Sequence, residues 1–176
     1  MKKPELLLPV GNTEAFYAAV EGGADAIYLG LRNFNARNRA KNFTLNQLQS
    51  ILTESKRTET KVYLTLNTLI KNSELPELLD VLYQVSQTSL SSIIIQDWGV
   101  YYLVRKFFPE ITLHASTQMS FHNSIGTEFA KRKNFERVIM ARELTFDELK
   151  IISQKSRIEL EIFTHGALCY SFSGLC

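Results

Sequence analysis

The sequence predicts an α/β fold, with strands and helices alternating about a parallel sheet. Three observations carry that expectation. Seven short apolar runs recur along the 176 residues: Leu6–Val10, Ala26–Leu29, Val62–Leu66, Ser92–Ile95, Ile111–His114, Arg137–Met140 and Ile158–Phe163. Most are continuous rather than alternating, as strands buried on both faces are. The segments between them carry helical spacing and helix-start residues, and no linker or low-complexity stretch interrupts the alternation.

Taken in order, each element has a local reason. After Leu6–Val10, Asn12 is placed to cap a helix over Thr13–Glu21, with Gly22-Gly23 as its stop. Thr44 and Gln47 have capping-box spacing, in which each side chain satisfies an orphan amide of the first turn. Thr145 and Glu148 repeat that spacing. Leu75, Leu78, Leu79, Leu82 and Val85 fall at i, i+3, i+4, i+7 and i+10, a stripe that faces a sheet. Trp98, Tyr101-Tyr102 and Phe107-Phe108 sit in a helical stretch and read as core or packing residues rather than a base-stacking platform.

Composition narrows the function classes. Lys and Arg number 20 against 18 Asp and Glu, for a net charge of +2, and 45% of residues are hydrophobic. That balance excludes intrinsic disorder and gives no global basic footprint for nucleic acid. A local cluster at Arg32, Arg37, Arg39 and Lys41, with Phe34 and Phe43 around it, fits phosphate or RNA, or equally a solvated loop. No apolar run approaches the ~18 residues of a membrane span, and Pro9 and Gly11 cut Leu6-Leu7-Leu8 short of a signal peptide. Residues 1–176 are therefore expected to form one cytoplasmic domain with no membrane partner. Two cysteines are too few for a disulfide framework.

An open doubly wound sheet and a (β/α)8 barrel both fit this pattern. In either, chemistry collects at the carboxyl ends of the strands. Those ends are polar here: Asn67, Gln96-Asp97, His114 through Gln118, Arg142-Glu143 and His165. His114, Gln118, Arg142, Glu143 and His165 are the catalytic candidates on that ground. Capping of the following helix is the competing explanation for each. Phosphate-loop, dinucleotide, zincin and serine-hydrolase motifs are absent. Cys169 and Cys176 fit half of a metal or cluster site, a redox pair, or small buried thiols. A thiol nucleophile at Cys169 would need His165 brought close by a helical turn, and a metal held by His114, His165 and Glu161 would need strand and loop to converge.

The chain resembles the U32 peptidase family. The resemblance rests on Glu5 through Asn12, Gly23 through Gly30, Arg142-Glu143-Leu144, and the terminal segment E-x-F-x-x-G-A-L-C-x4-G-x-C from Glu161 to Cys176. It runs over residues 5 to 176, and Thr65 through Thr68, Gln96-Asp97 and Leu113 through Gln118 look most similar to the branch that hydroxylates a ribosomal RNA cytidine. The resemblance implies an incomplete (β/α)8 TIM-type barrel of about seven parallel strands. It further implies either a collagenase-like peptidase or an oxygen-independent RNA hydroxylase using a [4Fe–4S] cluster, with prephenate as oxygen source. Arg142 would suit the carboxylate of such a co-substrate. Cys169 and Cys176 match the first two cluster ligands, and the other two lie beyond this signature in the family. From this follows the expectation of an N-terminal part of a U32-type barrel, truncated after Cys176 and inactive alone. An unclosed edge would favour a homo-oligomer.

Overall fold

The computed structural model describes residues 3–36, 42–166 and 169–175. All seven apolar runs become strands: β1 (Leu7–Pro9), β2 (Ala26–Gly30), β3 (Lys61–Leu66), β4 (Ser92–Ile95), β5 (Leu113–Ala115), β6 (Arg137–Ile139) and β7 (Glu159–Glu161). Six helices link them: α1 (Thr13–Glu21), α2 (Leu45–Arg57), α3 (Leu75–Ser86), α4 (Trp98–Phe107), α5 (Ser124–Arg132) and α6 (Phe146–Ser156). The strands pair in chain order, every neighbour parallel.

The sheet is curled. Glu5, just ahead of β1, lies 2.8 Å from Arg137 on β6. Five strand spacings of ~4.8 Å would separate them by about 24 Å in a flat sheet. The molecule is therefore an incomplete (β/α)8-type barrel with its helices outside. Alternation along each strand divides the side chains. Ile27, Leu29, Val62, Leu64, Leu66, Ile93, Ile95 and Leu113 join Phe16, Leu48, Leu78 and Leu82 of the helices in the main core. The opposite parity, with Ala26, Tyr63, Ile94 and Ile139, lines the lumen.

The helix starts follow the sequence. Asn12 accepts from the Ala15 amide, and both capping boxes form, at Thr44 with Gln47 and Thr145 with Glu148. Gly23 takes the left-handed conformation, at φ 82°, that ends α1.

Some expectations shift. The buried face of α3 is Leu78, Val81, Leu82 and Val85, with Leu75 packed against the core at its start, so Val81 takes the place given to Leu79. Strand β5 begins two residues late because the Ile111 amide turns back to the Phe108 carbonyl. Trp98, Tyr102 and Phe107 are about half exposed, since α4 packs through Val100 and Val104 instead. Tyr101 and Phe108 do pack against the core, Tyr101 stacked on Phe135 at 5.4 Å.

Candidate active site

Within the lumen, one buried cation on β6 gathers polar residues from three other segments: the residues ahead of β1, β3 and β7. Arg137 reaches Glu5 at 2.8 Å, Glu159 at 3.0 Å and Glu161 at 3.2 Å, and lies over the Tyr63 ring at 5.2 Å. Tyr63 donates its hydroxyl to Glu5 at 2.7 Å, and Lys61 donates at 2.7 Å. Burial opposes the Glu5 charge, but the bonds from Lys61, Tyr63 and Arg137 outweigh it and hold the carboxyl down at about 2. Burial pushes Glu161 up, against the pull of Arg137. Sequence reasoning missed this network.

His114 belongs to this interior. It is the second residue of β5, buried, edge-on to Tyr63 at 4.8 Å, with Nδ1 3.2 Å from the Ser92 hydroxyl. Burial first, then nearby Arg137, depresses its pKa to about 3. The expectation that it stands on the rim with Gln118 is corrected: the side-chain parity of β5 turns it into the lumen.

Above the lumen, the polar strand ends stitch neighbouring loops together. The Ala36 amide donates to Asn67 at 3.1 Å, and the Ile70 amide to Asp97 at 3.2 Å. Asp97 also caps α4 through the Gly99 and Val100 amides. Thr117 donates to the Met140 carbonyl at 3.2 Å. In Asp97, capping and cross-tying coincide.

The terminal segment lies across this rim, held by the loops after β5 and β6. Glu143 accepts from the Ser173 amide at 2.8 Å, and Arg142 donates to the Ser171 carbonyl at 3.2 Å. Partial burial works against the Glu143 charge, yet the Ser173 amide holds its pKa below the usual carboxylate range. Ser120 donates to the Ser173 carbonyl at 3.0 Å. His122, which sequence reasoning passed over, stacks on Phe172 at 5.2 Å with Nε2 3.3 Å from Glu143, an ion-pair distance without hydrogen-bond alignment. Gly174 has φ +87°, and a Cβ there would overlap the Ser120 hydroxyl.

Arg142 and Glu143 thus converge on one task, fixing the segment that carries Cys169. The Arg142 guanidinium faces that segment rather than open space. Gln118 sits in the short 3-10 turn Thr117–Met119 beneath it, its amide bonded to Ser116, with Gly174 close to its carbonyl. His165 and Cys169 are both exposed. No described residue between Glu161 and Leu175 is helical, and Gly166, next to His165, takes φ 140°, while residues 167 and 168 lie outside the described residues. Among the described residues no three His, Cys, Asp or Glu side chains gather to hold a metal ion. The metal set His114, His165 and Glu161 is therefore not formed. Cys176, and Arg37, Arg39 and Lys41, lie outside the described residues.

The peptidase family U32 model matches residues 11–176. The chain belongs to peptidase family U32. Relatives carry two kinds of name. A Bacillus subtilis "tRNA hydroxylation protein P1" is 35% identical over 99% of this chain and 42% of its own length. The Escherichia coli "23S rRNA 5-hydroxycytidine C2501 synthase" is 34% identical over 98% of this chain and 26% of its own. A "collagenase" of Porphyromonas gingivalis is 32% identical over 98% and 44%. The chain thus spans less than half of each of these relatives. The solved U32 peptidase Mk0906 superimposes with a TM-score of 0.72 at 11% identity, covering 91% of this chain and 68% of that one, which shows the shared fold.

A four-thiolate cluster needs more than this sequence holds, since it has two cysteines. The exposed, rim-mounted Cys169 suits one ligand position of such a group.

Proposed function

We propose that this chain is the site-bearing part of an RNA hydroxylase acting on a pyrimidine of transfer or ribosomal RNA. The observation that carries this is the clamp: Arg142, Glu143 and Ser120 hold the Cys169 segment on the carboxyl rim, where (β/α)8 enzymes do their chemistry. The names of the relatives at 34–38% identity support the substrate class. Replacing a ring C–H by C–OH is a two-electron oxidation that no side chain here accepts. An iron–sulfur group held partly by Cys169 and Cys176, its remaining ligands coming from outside this chain, would pass the electrons, while a hydroxylated co-substrate such as prephenate would give up its oxygen and be reduced by the same two electrons. This chain's own residues fix the thiol segment and, by burying it, keep His114 neutral.

The test is nucleoside mass spectrometry of total RNA from cells lacking the gene. Loss of a hydroxylated pyrimidine, restored when the gene is returned, is the expected result. Unchanged RNA accompanied by loss of peptide hydrolysis would overturn the reading in favour of the peptidase that the collagenase relative suggests.

A further inference from the structure

A band of aromatic side chains lies on the outside of the barrel, where an outer helix normally presents polar residues. Trp98 is 46% exposed, Tyr102 58%, Phe107 56% and Phe129 44%. They are continuous. Trp98 meets Phe129 edge-on at 5.8 Å, Tyr102 follows one turn along α4, and Lys106 sits over both Tyr102, at 5.4 Å, and Phe107, at 5.2 Å. Lys133 closes the other end, over Phe129 at 5.5 Å.

From this arrangement we infer that the α4–α5 face binds unpaired RNA, bases stacking on Trp98 and Tyr102 while Lys106 and Lys133 take phosphates. Three features choose that occupant. Trp98 directly follows Asp97 on the rim, so the band runs from the candidate active site down α4. Among the described residues, neither Lys106 nor Lys133 pairs with a carboxylate, whereas Arg132 beside them pairs with Glu128. Lys106 also donates to the Tyr102 hydroxyl at 3.3 Å, a neutral partner that a phosphate can displace. Aromatic faces flanked by cations without a carboxylate partner match bases and phosphates together, and each stacked base adds a sequence-tolerant share of affinity. The inference rests on the RNA reading of the rim and adds a second contact surface to it.

Trp98 is the sole tryptophan, so its emission reports on this face alone. The chain is titrated with a single-stranded oligouridylate and with bulk transfer RNA, following Trp98 emission and, separately, filter retention of the RNA. The expected result is saturable quenching whose affinity falls with salt. Tyr102→Ala should weaken binding about tenfold, the scale of one lost stack. Lys106→Gln should lower the salt dependence. Both side chains are exposed, so neither variant threatens the fold, and circular dichroism confirms it. RNA retained with Trp98 emission unchanged overturns this surface but leaves the hydroxylase reading standing. No retention at low salt overturns the RNA-binding face. A Trp98 blue shift that tracks protein concentration without RNA identifies a second copy of the chain as occupant, and likewise overturns it.

Discussion

Replacing His114 by asparagine isolates the one buried histidine of the lumen. Its folded-state pKa of about 3 lies well below its ordinary 6.5, through burial and then Arg137. The folded protein therefore holds fewer protons than the unfolded chain between those values. The stability this contributes is complete above pH 6.5 and is lost as pH falls toward 3. Each pH unit in that window costs about 1.4 kcal/mol, so moving from pH 6.5 to 5.0 costs about 2 kcal/mol, or roughly 4–8 °C in Tm for a domain of this size. Urea unfolding at pH 7.0 and 5.0 measures it. The parent chain should lose about 2 kcal/mol more over that interval than His114→Asn, because the carboxylates are common to both and largely cancel. Asparagine keeps a polar partner for the Ser92 hydroxyl, so the variant remains a fair reference. Equal losses in the two proteins would refute the burial argument, as would a His114 imidazole titrating near 6.5 by NMR.

Other perturbations follow from the same geometry. Arg137→Met leaves Glu161 without its cation and Glu5 with Lys61 alone, and should cost about 3–5 kcal/mol in urea unfolding at pH 7, the scale of a broken buried pair. Gly174→Ala forces a Cβ into the Ser120 hydroxyl at φ +87°, so amides of residues 169–175 should exchange faster while the global Tm moves little. Thr145→Ala removes an N-cap and half a capping box and should cost about 1 kcal/mol. Anaerobic loading of a full-length relative with iron and sulfide should give a broad blue-region absorbance, diminished by serine at the position that matches Cys169.

Much of the fold was legible because its signals are local. Continuous apolar runs mark strands covered on both faces, and the caps at Asn12, Thr44 and Thr145 each act within three residues. One flank of the α3 face differs from the expected stripe because Leu79 and Val81 flank Leu78 and Leu82 on opposite sides, and only the sheet beneath selects between them. The Arg137 network was missed because its members span residues 5 to 161 and meet only once the sheet curls. A signal did exist: Lys61 with Tyr63, and Glu159 with Glu161, place polar side chains at one parity of otherwise apolar strands. Reading that parity would also have turned His114 inward. Of the polar strand ends, Asn67, Asp97, Arg142 and Glu143 tie loops together at the rim, while His114 turns into the lumen. Their cross-ties stayed hidden, since Arg142 and Ser173 are 31 residues apart and nothing local links them.

The central claim is that the clamped rim segment carries the chemistry through Cys169. Its most direct test is nucleoside mass spectrometry on cells whose native gene encodes Cys169→Ser, with protein level matched by immunoblot. Hydroxylated pyrimidine should fall as far as it does on deletion. Full modification in the presence of the serine variant would contradict the account.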